Sequence, residues 1–438
     1  MKKLVLVPRT EPIDSILDRI KDVDILFVNG ARRTGKSCIA IQLEQMIGAD
    51  DQCTVLRFNC EGMASDTLTA EDLIAGFEAV YSKGRRIVIL LDEVFLVNGW
   101  ESVVNRFTAL PDCKTILFTS VRHVISEKLD AVREKRYGVM DMLPFSLEEF
   151  ISFHGLREIT PAETPNSEKR FTQFEHEIYS LNDIYRLYIN YGGLAIMKTE
   201  YMDPERAWVI TEGTYCAALM RGILDVGSFN NIVAVSDVAL LRNLILIMSQ
   251  TSGSNVSANS LAKQTGDYMN RMPSAKTIEN YIAALLNSNC FYISPRYDIK
   301  TGSVLKTFAR YYIVDTGLLG YISPDARCGN AEMLENRVYF ELLRRGYTVF
   351  NGKLGRDYIS FVAFLGEEKV YIHIVDEKNA DGIPDALAKL RKIRDNHPKA
   401  VISFDTHSTV TADGIFMINA LDFLMGTKLL RPGIAANK

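Results

Sequence analysis

The stretch Asp24-Ile25-Leu26-Phe27-Val28-Asn29-Gly30-Ala31-Arg32-Arg33-Thr34-Gly35-Lys36-Ser37 decides the fold. Its first part is a short apolar run of strand formers, bounded by charge before and glycine after. Its second part reads Gly-x-x-x-x-Gly-Lys-Ser, and Cys38-Ile39-Ala40-Ile41-Gln42-Leu43 then takes up helical spacing. Strand, glycine loop and helix in that order form a cradle for phosphate. Gly30 and Gly35 let the backbone curl so that successive N–H groups point inward, and the helix opening near Lys36 adds unpaired amides and a positive dipole end. Gly30, Ala31, Arg32, Arg33, Thr34, Gly35, Lys36, Ser37 and Cys38 are therefore expected around the phosphates of a nucleotide. The Lys36 ammonium is expected to reach the outer phosphates, and the Ser37 hydroxyl to ligate magnesium.

A second signal lies downstream. Arg85-Arg86 leads into Ile87-Val88-Ile89-Leu90-Leu91, a continuous apolar run suited to a central parallel strand, and ends in Asp92-Glu93. Acids at the carboxyl end of such a strand sit beside the phosphate loop. Asp92 is the natural partner for magnesium, and Glu93 is placed to polarise an attacking water as general base. A third run, Thr115-Ile116-Leu117-Phe118, ends in Thr119-Ser120, where a hydroxyl can sense the outer phosphate or simply cap a helix. Thr54 to Phe58 and Tyr137 to Met140 complete an α/β sheet.

Composition narrows the classes. The chain has 438 residues, 47% hydrophobic and 24% charged, which fits about three soluble domains and excludes collagen, coiled coil and disorder. No apolar run approaches the roughly 18 residues a membrane helix needs, and the N-terminus lacks an export signal, so a cytoplasmic protein is expected. The seven cysteines never form a Cys-x-x-Cys pair, so buried free thiols are expected in place of disulfides or zinc. A net charge of −4 means that any nucleic-acid contact has to come from a local patch.

The order of motifs resembles that of AAA-like bacterial and archaeal P-loop ATPases with a C-terminal DUF4143 region. Beyond the loop, the resemblance rests on Leu91-Asp92-Glu93-Val94 with Asn98-Gly99-Trp100-Glu101, on Phe118-Thr119-Ser120 and on Lys135-Arg136-Tyr137. It continues through Leu143-Pro144-Phe145-Ser146-Leu147-Glu148-Glu149-Phe150 and Tyr191-Gly192-Gly193-Leu194. It implies ATP as the nucleotide, and there is no Asn-Lys-x-Asp tetrad for guanine. Thr119 then joins the residues expected at the nucleotide. An arginine commonly steadies the transferring phosphoryl in such enzymes, and Arg136 is the expected one, with Arg122 and Arg133 as alternatives.

The middle and tail read as separate units. Ser146 with Glu149 forms a capping box, Thr160 to Ser167 a linker, and Arg170 to about Asn230 a helical lid. Three helices follow, Val238 to Met248, Ser257 to Thr265 and Pro273 to Leu286. Two strands, Cys290 to Pro295 and Phe308 to Val314, joined by Arg296 to Thr307, complete winged-helix order. Between Val256 and Val314, Lys263, Arg271, Lys276, Arg296, Lys300, Lys306 and Arg310 outnumber Asp267, Glu279 and Asp298 by four, the footprint of contact with double-stranded DNA or a solvated face for protein neighbours.

The alternation after Glu335 resembles the restriction-endonuclease-like fold. A nuclease of that kind needs a helix acid, an aspartate and Glu-x-Lys on adjacent strands. Those positions hold Glu335, Ser360, His373 and Val375, with Asp357 and Asp376-Glu377-Lys378 available only if the register shifts. The tail is thus expected to be a degenerate, recognition or assembly module. The full expectation is a P-loop ATPase core over residues 1–145, a helical lid over 146–235, a winged helix over 236–322 and a small α/β domain over 323–438. It would act as a magnesium-dependent, ATP-driven switch on a bound partner, DNA or protein, with self-association also open. The alternatives are a DNA-binding regulator without turnover and an ATP-gated nuclease.

Overall fold

Alternation sets the first sheet. In β1 (Ile25–Asn29), Ile25 and Phe27 face one side and Leu26 and Val28 the other, and all four are fully buried. A strand buried on both faces belongs inside a parallel sheet covered by helices. The computed structural model has that arrangement. It describes residues 6–61, 68–82, 84–122, 125–161, 164–173, 177–194, 235–269, 271–322, 330–375 and 382–426, with 209, 211–213, 215, 220 and 223.

Around β1 lie β2 (Cys53–Asn59), β3 (Arg86–Asp92), β4 (Cys113–Thr119) and β5 (Tyr137–Asp141), all parallel, in the order β2-β3-β4-β1-β5. Helices Thr10–Arg19 and Lys36–Ile47 press Ile13, Ile16, Ile39 and Leu43 onto Leu26, Val28, Leu90 and Phe118. Helices Ala70–Glu78 and Trp100–Thr108 bring Leu73, Phe77, Val103 and Phe107 to Ile25, Phe27, Ile89 and Leu91 on the other face. Because the strands are parallel, their carboxyl ends share one edge, and the register sets Asn29 beside Thr119 and Asp92 beside Phe118. That edge is where open α/β sheets bind ligands.

The next segment corrects the expectation of an all-helical lid. Ser146 and Glu149 form both arms of a capping box before helix Leu147–Phe153. However, β6 (Arg157–Glu158), β7 (Arg170–Thr172) and β8 (Ile178–Ser180) then make a small antiparallel sheet. Apolar recurrence over so few residues does not separate strand from helix. Helix begins only at Leu181–Tyr191, where Ser180 and Asp183 supply the cap. Most of the expected lid between residues 195 and 234 lies outside the described residues.

Helices Val238–Gln250, Ala258–Met269 and Ala275–Asn287 fall where the periodicity placed them. The hairpin after them is longer than expected: β9 (Phe291–Asp298) and β10 (Ser303–Ile313) absorb most of the charged connection, with a bulge between Leu305 and Arg310. Ladder bonds are made by the backbone, so exposed charged side chains do not prevent them. β9 also pairs in parallel with β11 (Thr348–Leu354). The hairpin therefore opens an eight-stranded sheet that continues through β12 (Asp357–Leu365), β13 (Glu368–Ile374), β14 (Lys399–Ser403), β15 (Thr409–Val410) and β16 (Phe416–Asn419). No division falls at residues 322/323: one sheet crosses it, and one apolar core joins Leu244, Leu285 and Phe291 to Val338, Phe361 and Ile402.

Candidate functional site

The loop after β1 is shaped by close approach. A β-carbon on Gly30 would come within 2.4 Å of the Met142 carbonyl oxygen, so only glycine fits. Gly35, with φ of 94°, turns the chain into helix Lys36–Ile47 in a conformation that glycine adopts without strain. Arg33 also lies in the left-handed region, at 70°. Arg9, outside the motif, braces the loop from behind. Its guanidinium donates to the Thr34 carbonyl at 2.9 Å and to the Leu143 carbonyl at 3.2 Å, and pairs with Glu149 at 2.7 Å. Glu149 also faces Arg344 at 3.5 Å, and these cations hold its carboxyl below the usual range although burial alone would raise it.

The chemistry-bearing side chains converge on this loop. The buried Lys36 ammonium donates to the carbonyls of Gly30 at 2.9 Å and Ala31 at 3.0 Å and stands 3.7 Å from Glu93 Oε1. Ser37, exposed at the start of the helix, lies near enough to the buried Asp92 carboxylate to favour its ionised form. Burial pushes both acids above their ordinary range; Ser37 and Lys36 oppose it at Asp92, and Lys36 and the Ser120 amide at Glu93. Glu93 sits in the left-handed region, at φ 54°, and its Oε2 accepts from the Ser120 N–H at 3.0 Å and the Ser120 hydroxyl at 3.1 Å. Asn29 Oδ1 is buried with no hydrogen-bond partner.

These residues fit a magnesium nucleotide. An ammonium held by main-chain carbonyls can exchange them for phosphate oxygens, and an unpaired buried amide oxygen at the strand end is a group awaiting a donor. Ser37 and Asp92, neighbours at the carboxyl edge of the sheet, are the residues that could hold the metal.

Gly30, Ala31, Arg32, Arg33, Thr34, Gly35, Lys36, Ser37 and Cys38 form the loop and first helical turn, with Asp92 and Glu93 beside them. Cys38 is exposed, whereas Cys53, Cys60, Cys113 and Cys290 are buried. Thr119 does not offer its hydroxyl to the site: Oγ1 donates to the Val121 carbonyl at 3.1 Å and accepts from the Val121 N–H at 3.0 Å. Ser120 makes the contact with Glu93 instead. Arg136 stands at the wrong end of the sheet. It precedes β5, pairs with Asp24 and Glu134, and is a strand length of roughly 17 Å from the loop. Arg122 lies on the site edge, bonded to Asp141 and Asn289, and Arg133 pairs with Asp130.

The tail contains no acid cluster among the described residues. Glu335 is locked by Arg310 at 2.7 Å and the Tyr312 hydroxyl at 2.8 Å. The buried His373 accepts at Nδ1 from the Ser360 N–H at 3.2 Å, and Asp357 pairs with Lys392 at 2.6 Å. Asp376, Glu377 and Lys378 lie outside the described residues.

A glycine loop, a helix N-terminus and two acids on the carboxyl edge of a parallel sheet define a P-loop nucleoside-triphosphatase core. Comparison with known proteins agrees: residues 22–151 match the AAA domain family AAA_14. Residues 183–327 match a domain of unknown function, DUF8612, largely ahead of residues 323–438, for which the motif order had suggested a DUF4143-like domain. An uncharacterized protein of Haemophilus influenzae is 28% identical over 423 residues, 93% of this chain and 96% of that one. Among solved structures, the Walker-type ATPase PABY2304 of Pyrococcus abyssi aligns with a TM-score of 0.47 at 12% identity, covering 72% of this chain and 95% of that one. Cdc6p of Pyrobaculum aerophilum aligns at 0.30 and 10% identity, covering 74% and 98%. No helix among the described residues is long and apolar enough to cross a membrane.

Proposed function

We infer that the chain is a magnesium-dependent ATPase that uses hydrolysis to switch its grip on a bound partner. The observation that carries this is the buried trio at the loop: Lys36 on main-chain carbonyls, Asp92 at the end of β3, and Glu93 at 3.7 Å from Lys36. Lys36 would exchange its carbonyl partners for the outer phosphates of ATP. Ser37 and Asp92 would hold magnesium, which supplies charge neutralisation on the phosphoryl oxygens. Glu93, made a stronger base by burial, takes a proton from the attacking water. Nucleotide orders the loop ends at Asp92 and Thr119, and hydrolysis releases them. The test is phosphate release: Glu93→Gln should lower turnover by about 10² to 10⁴-fold while nucleotide still binds. Equal release by both proteins would leave a nucleotide-holding regulator.

Double-stranded DNA is the partner that one surface favours, through three helices and a hairpin in winged-helix order. Lys263, Arg271, Lys276, Lys300 and Lys306 are exposed there, and the Arg296 guanidinium lies 5.8 Å from the ring of the exposed Phe308. Arg310 is buried against Glu335 and is not available. DNA should stimulate hydrolysis, and the stimulation should fall steeply with salt; no response at low salt would point to a protein partner. Kinship of the tail with DUF4143 regions is supported by motif order, and the locked Glu335 favours a recognition role for the tail over an ATP-gated nuclease.

A further inference from the structure

Helix Ala275–Asn287 ends in a Schellman turn: the Asn289 N–H donates to the Leu286 carbonyl at 3.1 Å and the Cys290 N–H to the Leu285 carbonyl at 3.2 Å. Asn289 occupies the left-handed position of that turn, with φ of 56°, where glycine is the residue the backbone prefers. It is fully buried, and both ends of its side-chain amide reach out of its own region into the P-loop core. Nδ2 donates to the Ser120 carbonyl at 3.0 Å, and Oδ1 accepts from Arg122 Nε at 2.6 Å. Arg122 in turn pairs with Asp141 at 3.1 Å and lies 4.7 Å over the Tyr292 ring, just beyond Asn289.

Ser120 is the residue whose N–H and hydroxyl both bind Glu93 Oε2. The Glu93 backbone is tied to the same strand end, its N–H donating to the Phe118 carbonyl at 2.8 Å. Oε2 takes two donors from Ser120, while Oε1 faces the Lys36 ammonium at 3.7 Å, so the orientation of the carboxylate is set by Ser120. Thus the hydrogen bonds form a short chain, Asn289 to Ser120 to Glu93, from the helical region into the site.

We propose that Asn289 is a positioning residue that acts as a brake: by fixing the Ser120 main chain it holds Glu93 away from the attacking water, and movement of the 236–322 region releases it. This rests on the ATPase reading. It gives the switch a physical route, since a partner seated on that region would draw Asn289 off Ser120 and free the base.

Two substitutions in the full chain separate this from a structural role. Asn289→Gly suits the left-handed turn and removes both side-chain bonds. Asn289→Asp also tolerates that conformation and keeps an acceptor for Arg122, but sets a carboxylate oxygen against the Ser120 carbonyl. Both should raise the kcat for phosphate release about fivefold, the scale of one neutral hydrogen bond, with KM unchanged. An unchanged or lowered kcat in both would overturn the brake, and so would a rise in Asn289→Gly alone, which would trace the effect to Arg122. Glu93→Gln is measured alongside. Turnover that it abolishes but the Asn289 variants leave alone sinks only the brake; no turnover in any of the four proteins sinks the ATPase reading as well.

Discussion

At the carboxyl edge of the five-stranded sheet, Lys36, Asp92 and Glu93 are buried, and the partners of Lys36 and Glu93 are replaceable: loop carbonyls, and the Ser120 hydroxyl and main-chain amide. Beside the eight-stranded sheet the acids of helix Asn330–Arg344 have fixed counter-ions. Glu335 is held by Arg310 and Tyr312, and Glu341 by Arg344 and Arg345. Burying an ion is costly in both places. In the tail the cost is offset by a fixed counter-ion. In the core, part of it remains as shifted acidity at Asp92 and Glu93.

That contrast can be broken in the tail. Glu335→Ala would leave the Arg310 guanidinium buried without its counter-charge, and the expected loss is about 3–5 kcal/mol in a urea unfolding curve. A loss below about 1 kcal/mol would mean that the pair behaves like an exposed surface pair. A somewhat smaller effect belongs to His373. Burial, reinforced by Lys389, brings its pKa down from 6.5 to about 4, so the folded chain refuses a proton that the unfolded chain accepts. Its stabilising contribution is complete above pH 6.5 and is lost as the pH falls towards about 4. The full loss is about 3 kcal/mol at most. His373→Gln should flatten the decline in Tm over that window; an equally steep decline would place the sensitive group elsewhere.

Gly30 to Ser37 and Asp92-Glu93 were readable because their chemistry is local: a turn that only glycine permits, a lysine at the helix start, acids at a strand end. The direction of a strand is local too, but its consequence for Arg136 is not. The residue lies at the amino end of β5, and only the parallel pairing of β5 with β1 puts that end opposite the loop. Choosing between Thr119 and Ser120 depended on which hydroxyl a turn at Val121 consumes, which no sequence pattern records. The merging of hairpin and tail depends on β9 pairing with β11 across more than fifty residues of chain, beyond the reach of periodicity. Arg9 and Asn289 carried no motif at all, and their importance comes from the carbonyls they reach.

The loop's grip on a triphosphate can be measured by titrating ATP with magnesium into three full-length proteins in a calorimeter: the natural chain, Glu93→Gln and Lys36→Ala. Lys36 should supply most of the grip on the outer phosphates and Glu93 none of it. The first two proteins should therefore bind alike, and Lys36→Ala should bind at least about 100-fold more weakly, the loss of a charged hydrogen-bonding group at a phosphate. Equal heats from all three, or none from the natural chain, would contradict a nucleotide held by the bend between β1 and helix Lys36–Ile47.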